Sequence, residues 1–168
     1  MAGMDARTEE LLGLDEIRRR IAALCQSPQG SARAGERPVA TRANEVASRH
    51  LLTAEAIELR RLGMAVAAGA TDVQTALDNA SRGGTLELAS VVAVAATAEV
   101  AAELAESVAH HAIAAPQLAA RAQAIVVPAL RRLCEEVASA HDGHGGLRDS
   151  ASADLGRARR QLADARAG

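Results

Sequence analysis

No Phe, Tyr, Trp or Lys occurs anywhere in the chain, and all 19 of its basic residues are Arg. Each gap excludes something. An aromatic side chain normally buries about 150–250 Å². Without any, the core has to be assembled from Ala, Val, Leu and Ile, which calls for closely spaced helices and leaves a modest stability margin. Recognition of single-stranded nucleic acid by base stacking is excluded, because there is no aromatic platform. A GC-rich genome accounts for the missing Lys and for scarce Phe and Tyr, but not for the missing Trp. An engineered, aromatic-free alphabet and an unusual natural sequence are both open. There are two cysteines, Cys25 and Cys134, far apart and without a CxxC partner. They read as buried reduced thiols rather than zinc ligands.

Other absences narrow the function. The formal net charge is −2 over 168 residues, so no global basic field marks a nucleic-acid binder. The longest apolar run, near Val91 to Ala98, falls short of the roughly 20 residues that cross a bilayer. The N-terminal "MAGMDARTEELLG" has early acids and no apolar core of a secretory signal, so the expected location is cytoplasmic. "SRGG" and "HGG" lack the GxxxxGK[ST] and GxGxxG patterns that cradle phosphates, and neither GxSxG nor HExxH occurs. No catalytic constellation and no cofactor site is therefore expected in this chain.

What is present is alanine, about a quarter of all residues, in helical patterns. Leu14, Ile17, Ile21, Leu24 and Cys25 form one stripe of an amphipathic helix spanning Leu11–Cys25. Pro28 stops it. Ser31–Ala40 reads as a weak helical turn or loop ending at Pro38. Thr41 should cap a second helix to about Leu62, ended by Gly63, with "MAVAAGA" as a connector. Thr71 or Asp72 should cap a short helix to Ala80, closed by "SRGG". The longest helix is predicted from about Glu87 to His110, apolar round most of its circumference and hence the central, most buried one. Pro116 and Pro128 each start a further helix. "HDGHGG" reads as a loop and "LRDSAS" as briefly extended. Ser152 should cap a final helix. The sum is an all-α, irregular multi-helix bundle of about six to seven helices in a single domain, residues 1–168. The Glu87–His110 helix is expected to pack against the Leu11–Cys25 and Leu130–Val137 stripes, with Leu104 in the core.

Few side chains suggest chemistry. His141, Asp142 and His144 could in principle ligate a metal, but the spacing is short and no second cluster lies nearby. A polar loop accounts for them, and no metal site is assigned. His110 and His111 suit a helix C-terminus. Arg157, Arg159, Arg160 and Arg166 on the last helix could touch a nucleic-acid backbone. Asp154 and Asp164 lie among them, and an exposed helix with local ion pairs explains the same pattern.

Four segments, in order, carry a family resemblance. "LLGLDEIRRRIAALCQSPQG" is similar to an opening of the form LE-x-x-F-D-x-I followed by a helix and an SPLG or TPLG turn. "RHLLTAEAIELRRLG" resembles the helix that follows. "TDVQTALDNASRGGTLELASVV" resembles D-I-x-x-x-L-x-R-A-x-x-G-G-x-L. "DGHGGLRDSASADLGRARRQL" resembles D-E-x-G-x-V-x-D-x-A-S-P-x-L-x-x-I-R. All four are similar to the N-terminal core of the MutS-two family, the second bacterial branch of MutS. The departures are Leu14 for the usual Phe, Leu88 at a common helix-starting proline and Ala153 at the usual proline. The resemblance implies a non-catalytic core fragment whose last helix, from about residue 152, begins the lever. The implied parent is a dimeric DNA-binding ATPase with a clamp and an Smr endonuclease domain, linked to recombination suppression or ribosome rescue. The implied partners are the ATPase and clamp regions of that parent, and DNA or the ribosome only through it, with no membrane. The alternative is a self-contained, aromatic-free helical scaffold without activity of its own.

Overall fold

The computed structural model describes residues 6–64 and 69–167, so most of the expected "MAVAAGA" connector lies outside the described residues. Among the described residues the fold is all-α, with no strand. The helices are α1 (Ala6–Leu11), α2 (Leu14–Leu24), α3 (Pro28–Gly35), α4 (Ala43–Arg61), α5 (Gln74–Ser81), α6 (Leu88–His110), α7 (Pro116–Ala122), α8 (Val127–Ala140) and α9 (Ala153–Ala167), with a 3-10 turn at Asp149–Ala151.

That is more helices than the six to seven expected, and the additions have local causes. Helix α1 lies ahead of the first helix expected from sequence, and Gly13, at φ 64°, separates it from α2. Ser27–Pro28 both stops α2 and starts α3. The Ser27 hydroxyl accepts from the Gly30 amide at 3.1 Å, and Pro28 takes the first helical position, where a missing N–H costs nothing. The weak composition of this segment leaves a helical turn and a loop both open over most of α3; the cap in front of it decides for helix. Thr41 is not the cap of α4. Arg42 holds that place without a side-chain bond, so the start of α4 relies on Glu45 in its first turn. Likewise Val73, not Thr71 or Asp72, precedes α5. Gly63 (φ 85°) and Gly83 (φ 77°) do end α4 and α5 in left-handed geometry.

The residues pack as two compact units. One comprises the chain to Asp72 with Val100–Val127; the other comprises Val73–Glu99 with Pro128–Gly168. In the first, Leu59, Val108, Ala115 and Ala119 form the buried cluster, with Met64, Leu118 and Ala122 against it. Helix α2 packs on α3 and α1. Its stripe does not close against α6 as expected, and Ile17 and Ile21 stay 49% and 50% exposed. In the second unit α8 does approach the first half of α6: the Cys134 thiol donates to the Ala95 carbonyl at 3.3 Å, and Arg131 pairs with Glu99.

Helix α6 holds five of the nine buried side chains found among the described residues, at positions 95, 98, 102, 105 and 108. The spacing is a narrow seam rather than burial on most sides, and four of the five are Ala. Leu104, expected in the core, lies off this seam at 38% exposure. By length and composition α6 is also able to cross a membrane, with a mean hydropathy of 1.7 over its most apolar window. An uninterrupted apolar run is too strict a measure for this helix, whose few polar residues are spread along it. A core helix satisfies the same measure of hydropathy, and 22% of that window is buried here.

Candidate functional site

Three local arrangements could carry function. The first is the loop before α9. Its closure starts from Asp142, whose Oδ1 accepts from the His144 amide at 2.7 Å and the Gly146 amide at 2.9 Å. Those two bonds, His144 first, hold the Asp142 carboxyl below its ordinary value. Gly143 (φ 83°) and Gly145 (φ 85°) supply the turn, and His141 and Leu147 pair as an antiparallel bridge. The extended stretch expected at "LRDSAS" is reduced to that bridge, followed by the 3-10 turn. His141 turns its Nδ1 to the Gly143 amide at 3.2 Å. Asp142 Oδ1 and His141 Nδ1 thus serve the loop itself. Among the described residues no group of three or more His, Cys, Asp or Glu is placed to hold a metal.

The four candidate arginines of α9 do not form one cluster of equivalent side chains. Arg159 reaches back to the loop, donating to the Leu147 carbonyl at 2.9 Å and pairing with Asp149. Arg157 pairs with Asp154 at 3.3 Å. Arg160 and Arg166 are exposed further along the helix. The Leu155 amide donates to the Ser152 hydroxyl at 3.0 Å, which is the expected cap. Gly156 is buried against the 3-10 turn: a Cβ there would meet the Asp149 carbonyl oxygen at 2.9 Å. Close approach, not flexibility, explains this glycine.

The second arrangement is a long-range cap. Both oxygens of Glu55 on α4 accept backbone amides at the start of α7, Gln117 at 3.1 Å and Leu118 at 2.8 Å. A carboxylate at a helix N-terminus satisfies orphan donors and complements the helix dipole. No sequence pattern announces it, since the partners are 62 and 63 residues away.

The third is a groove between α2, α3 and the start of α4. Leu14, Ile17, Ile21 and Val39 supply apolar lining, and Arg18, Arg33, Arg37 and Arg49 stand among them with one acid, Glu36. Arg18 pairs with Glu9 at 2.8 Å and Asp15 at 3.1 Å and donates to the Arg37 carbonyl at 3.3 Å. The Glu9 bond leads in raising the Arg18 pKa above its ordinary value. Arg49 pairs with Glu45 and donates to the Pro38 carbonyl at 2.7 Å. Sequence reasoning missed this groove because it treated the α2 stripe as covered.

Comparison with known proteins gives one firm likeness. The chain is 34% identical over 157 residues to the endonuclease MutS2 of Anaeromyxobacter sp. (strain Fw109-5). The match takes in 93% of this chain and 19% of that protein, so the chain spans about a fifth of the length of this curated relative. No family model matches the chain, and no solved structure matches it at a significant level. A relationship to MutS2 is thereby supported over nearly the whole chain.

Proposed function

We propose that this chain is a non-catalytic helical segment of a MutS2-like protein, equivalent to the N-terminal core that precedes the lever. Its task is mechanical. It carries the nucleotide state of an ATPase region through packed helices to a nucleic-acid clamp. The observation that carries this reading is the likeness itself, 93% of this chain against 19% of the relative. DNA binding, ATP turnover and endonuclease action belong to the remainder of the parent, whose work is recombination suppression or ribosome rescue in the cytoplasm. Contact with nucleic acid by the segment falls to Arg157, Arg159, Arg160 and Arg166. It is weak, sequence-independent and salt-sensitive, because Asp154 and Asp164 lie among them.

A chimera tests the proposal. The matching fifth of the Anaeromyxobacter MutS2 is replaced by this chain, and DNA-dependent ATP turnover is measured. Retained turnover supports the mechanical role. A chimera that keeps the parent's helicity and ATP affinity but loses turnover sinks it. The second reading, a free-standing scaffold, is favoured by the complete absence of aromatics. It requires the chimera to fail while the chain alone unfolds cooperatively.

A further inference from the structure

We propose that the groove between α2, α3 and the start of α4 is a docking site for an amphipathic helix whose apolar face is flanked by Asp and Glu. The groove has a volume of about 750 Å³ and opens to solvent. Its lining is mostly apolar: Ile17 and Ile21 present one face of α2 at i, i+4 spacing, the repeat that a second helix can match.

Charge selects the partner's sign. Four arginines and one glutamate line the groove. Arg18 and Arg49 are already neutralised, by Glu9 and Asp15 and by Glu45. Arg33 and Arg37 have no carboxylate partner among the described residues, and both are exposed beside the apolar lining. A helix with acids flanking its apolar stripe places carboxylates near those two guanidinium groups while its aliphatic face fills the space between. A basic helix meets two unpaired cations instead. The local preference is opposite to that of the whole chain, whose net charge of −2 attracts cations. That opposition separates docking in the groove from general electrostatic attraction.

The missing aromatics make the measurement clean. A synthetic helix of about 18 residues, roughly 27 Å long, carries Leu on one face, Glu beside it and a single Trp at the apolar edge. All indole emission then comes from the peptide. The expected result is a saturable blue shift with the acidic peptide and binding at least about tenfold weaker for the same peptide with Lys in place of Glu. The double variant Arg33→Glu, Arg37→Glu should reverse that order. Both changes are on the surface, and circular dichroism at 222 nm confirms the fold. Ile21→Asp should abolish the shift with either peptide.

Equal affinity for the two peptides, or no effect of the double variant, overturns the proposal. So does a chain whose sedimentation shows a dimer that Ile21→Asp dissociates, since a second copy then fills the groove. So does displacement of the peptide by an oligonucleotide. The inference stands on the groove alone; its failure leaves the MutS2-like reading intact, and that reading is decided by the chimera.

Discussion

Glu55 joins two helices with one carboxylate, and its removal isolates the value of that link. Glu55→Ala leaves two amides at the start of α7 without their acceptors, and should lower stability by about 1–2 kcal/mol. Urea denaturation followed at 222 nm reads the change; an unaltered midpoint shows that water replaces the carboxylate without loss. Asp142 makes a prediction in pH. Its folded pKa is lowered, by the His144 and then the Gly146 amide. Its contribution is therefore present above the unfolded value near 3.8 and is lost as pH falls through the lower folded value. The His144 and Gly146 amide resonances should move together toward random-coil positions on acidification from about pH 5 to about pH 2. Cys134 shifts the other way. Burial, and then Glu99, raise its pKa, so its stabilising effect is present below the unfolded value and lost as pH rises through the folded one. Iodoacetamide should alkylate Cys134 more slowly than a free thiol at about pH 8.5; equal rates would contradict the burial that causes the shift.

At the scale of elements, two glycines on helices should respond oppositely to the same substitution. Gly35 at the end of α3 has nothing within 4 Å of the place a methyl group would take, so Gly35→Ala should stabilise by about 0.4–1 kcal/mol. Gly156 on α9 abuts the Asp149 carbonyl, so Gly156→Ala should undock the first turn and lower the thermal midpoint despite alanine's better propensity. If both raise the midpoint, α9 does not rest on the 3-10 turn. The same elements show what a sequence discloses. Helices α4, α6, α7 and α8 were legible from apolar spacing, proline starts and glycine stops, and the cap of α9 from Ser152. Helix α3 was legible only as a weak helical turn or loop, because it is fixed by the Ser27 cap and by Pro28 at its first position rather than by apolar spacing. The partner of α2 was not legible: periodicity marks an apolar face but does not say what covers it. The groove follows from that uncovered face and was hidden for the same reason, whereas the α9 arginines were visible at once and their differing partners were not.

For the whole molecule, the surface ion pairs are mostly i, i+3 or i, i+4 neighbours, such as Arg132 with Glu136 and Arg61 with Glu58. Such pairs contribute about 0–1 kcal/mol each, so salt should barely change the unfolding midpoint. Salt should instead abolish any nucleic-acid binding. Fluorescence anisotropy with a labelled duplex should give at most a weak complex that disappears as ionic strength rises. A complex that survives high salt would place a specific site on this chain. The chain alone should neither bind nor hydrolyse ATP, since no phosphate-cradling sequence is present; turnover that vanishes on mutating one of its residues would refute this.

The alanine seam of α6 has an evolutionary consequence. A buried leucine can drift to valine or methionine and back, so ordinary cores change by single tolerated steps. A buried alanine has almost no such neighbourhood. Glycine loosens the helix by about 1 kcal/mol, and anything larger overpacks its buried surroundings at about 1–3 kcal/mol. Ala98, Ala102 and Ala105 should therefore vary only when a neighbouring side chain shrinks in the same lineage. Paired exchanges, not single ones, are the accessible route by which descendants of this chain acquire bulky residues at these positions.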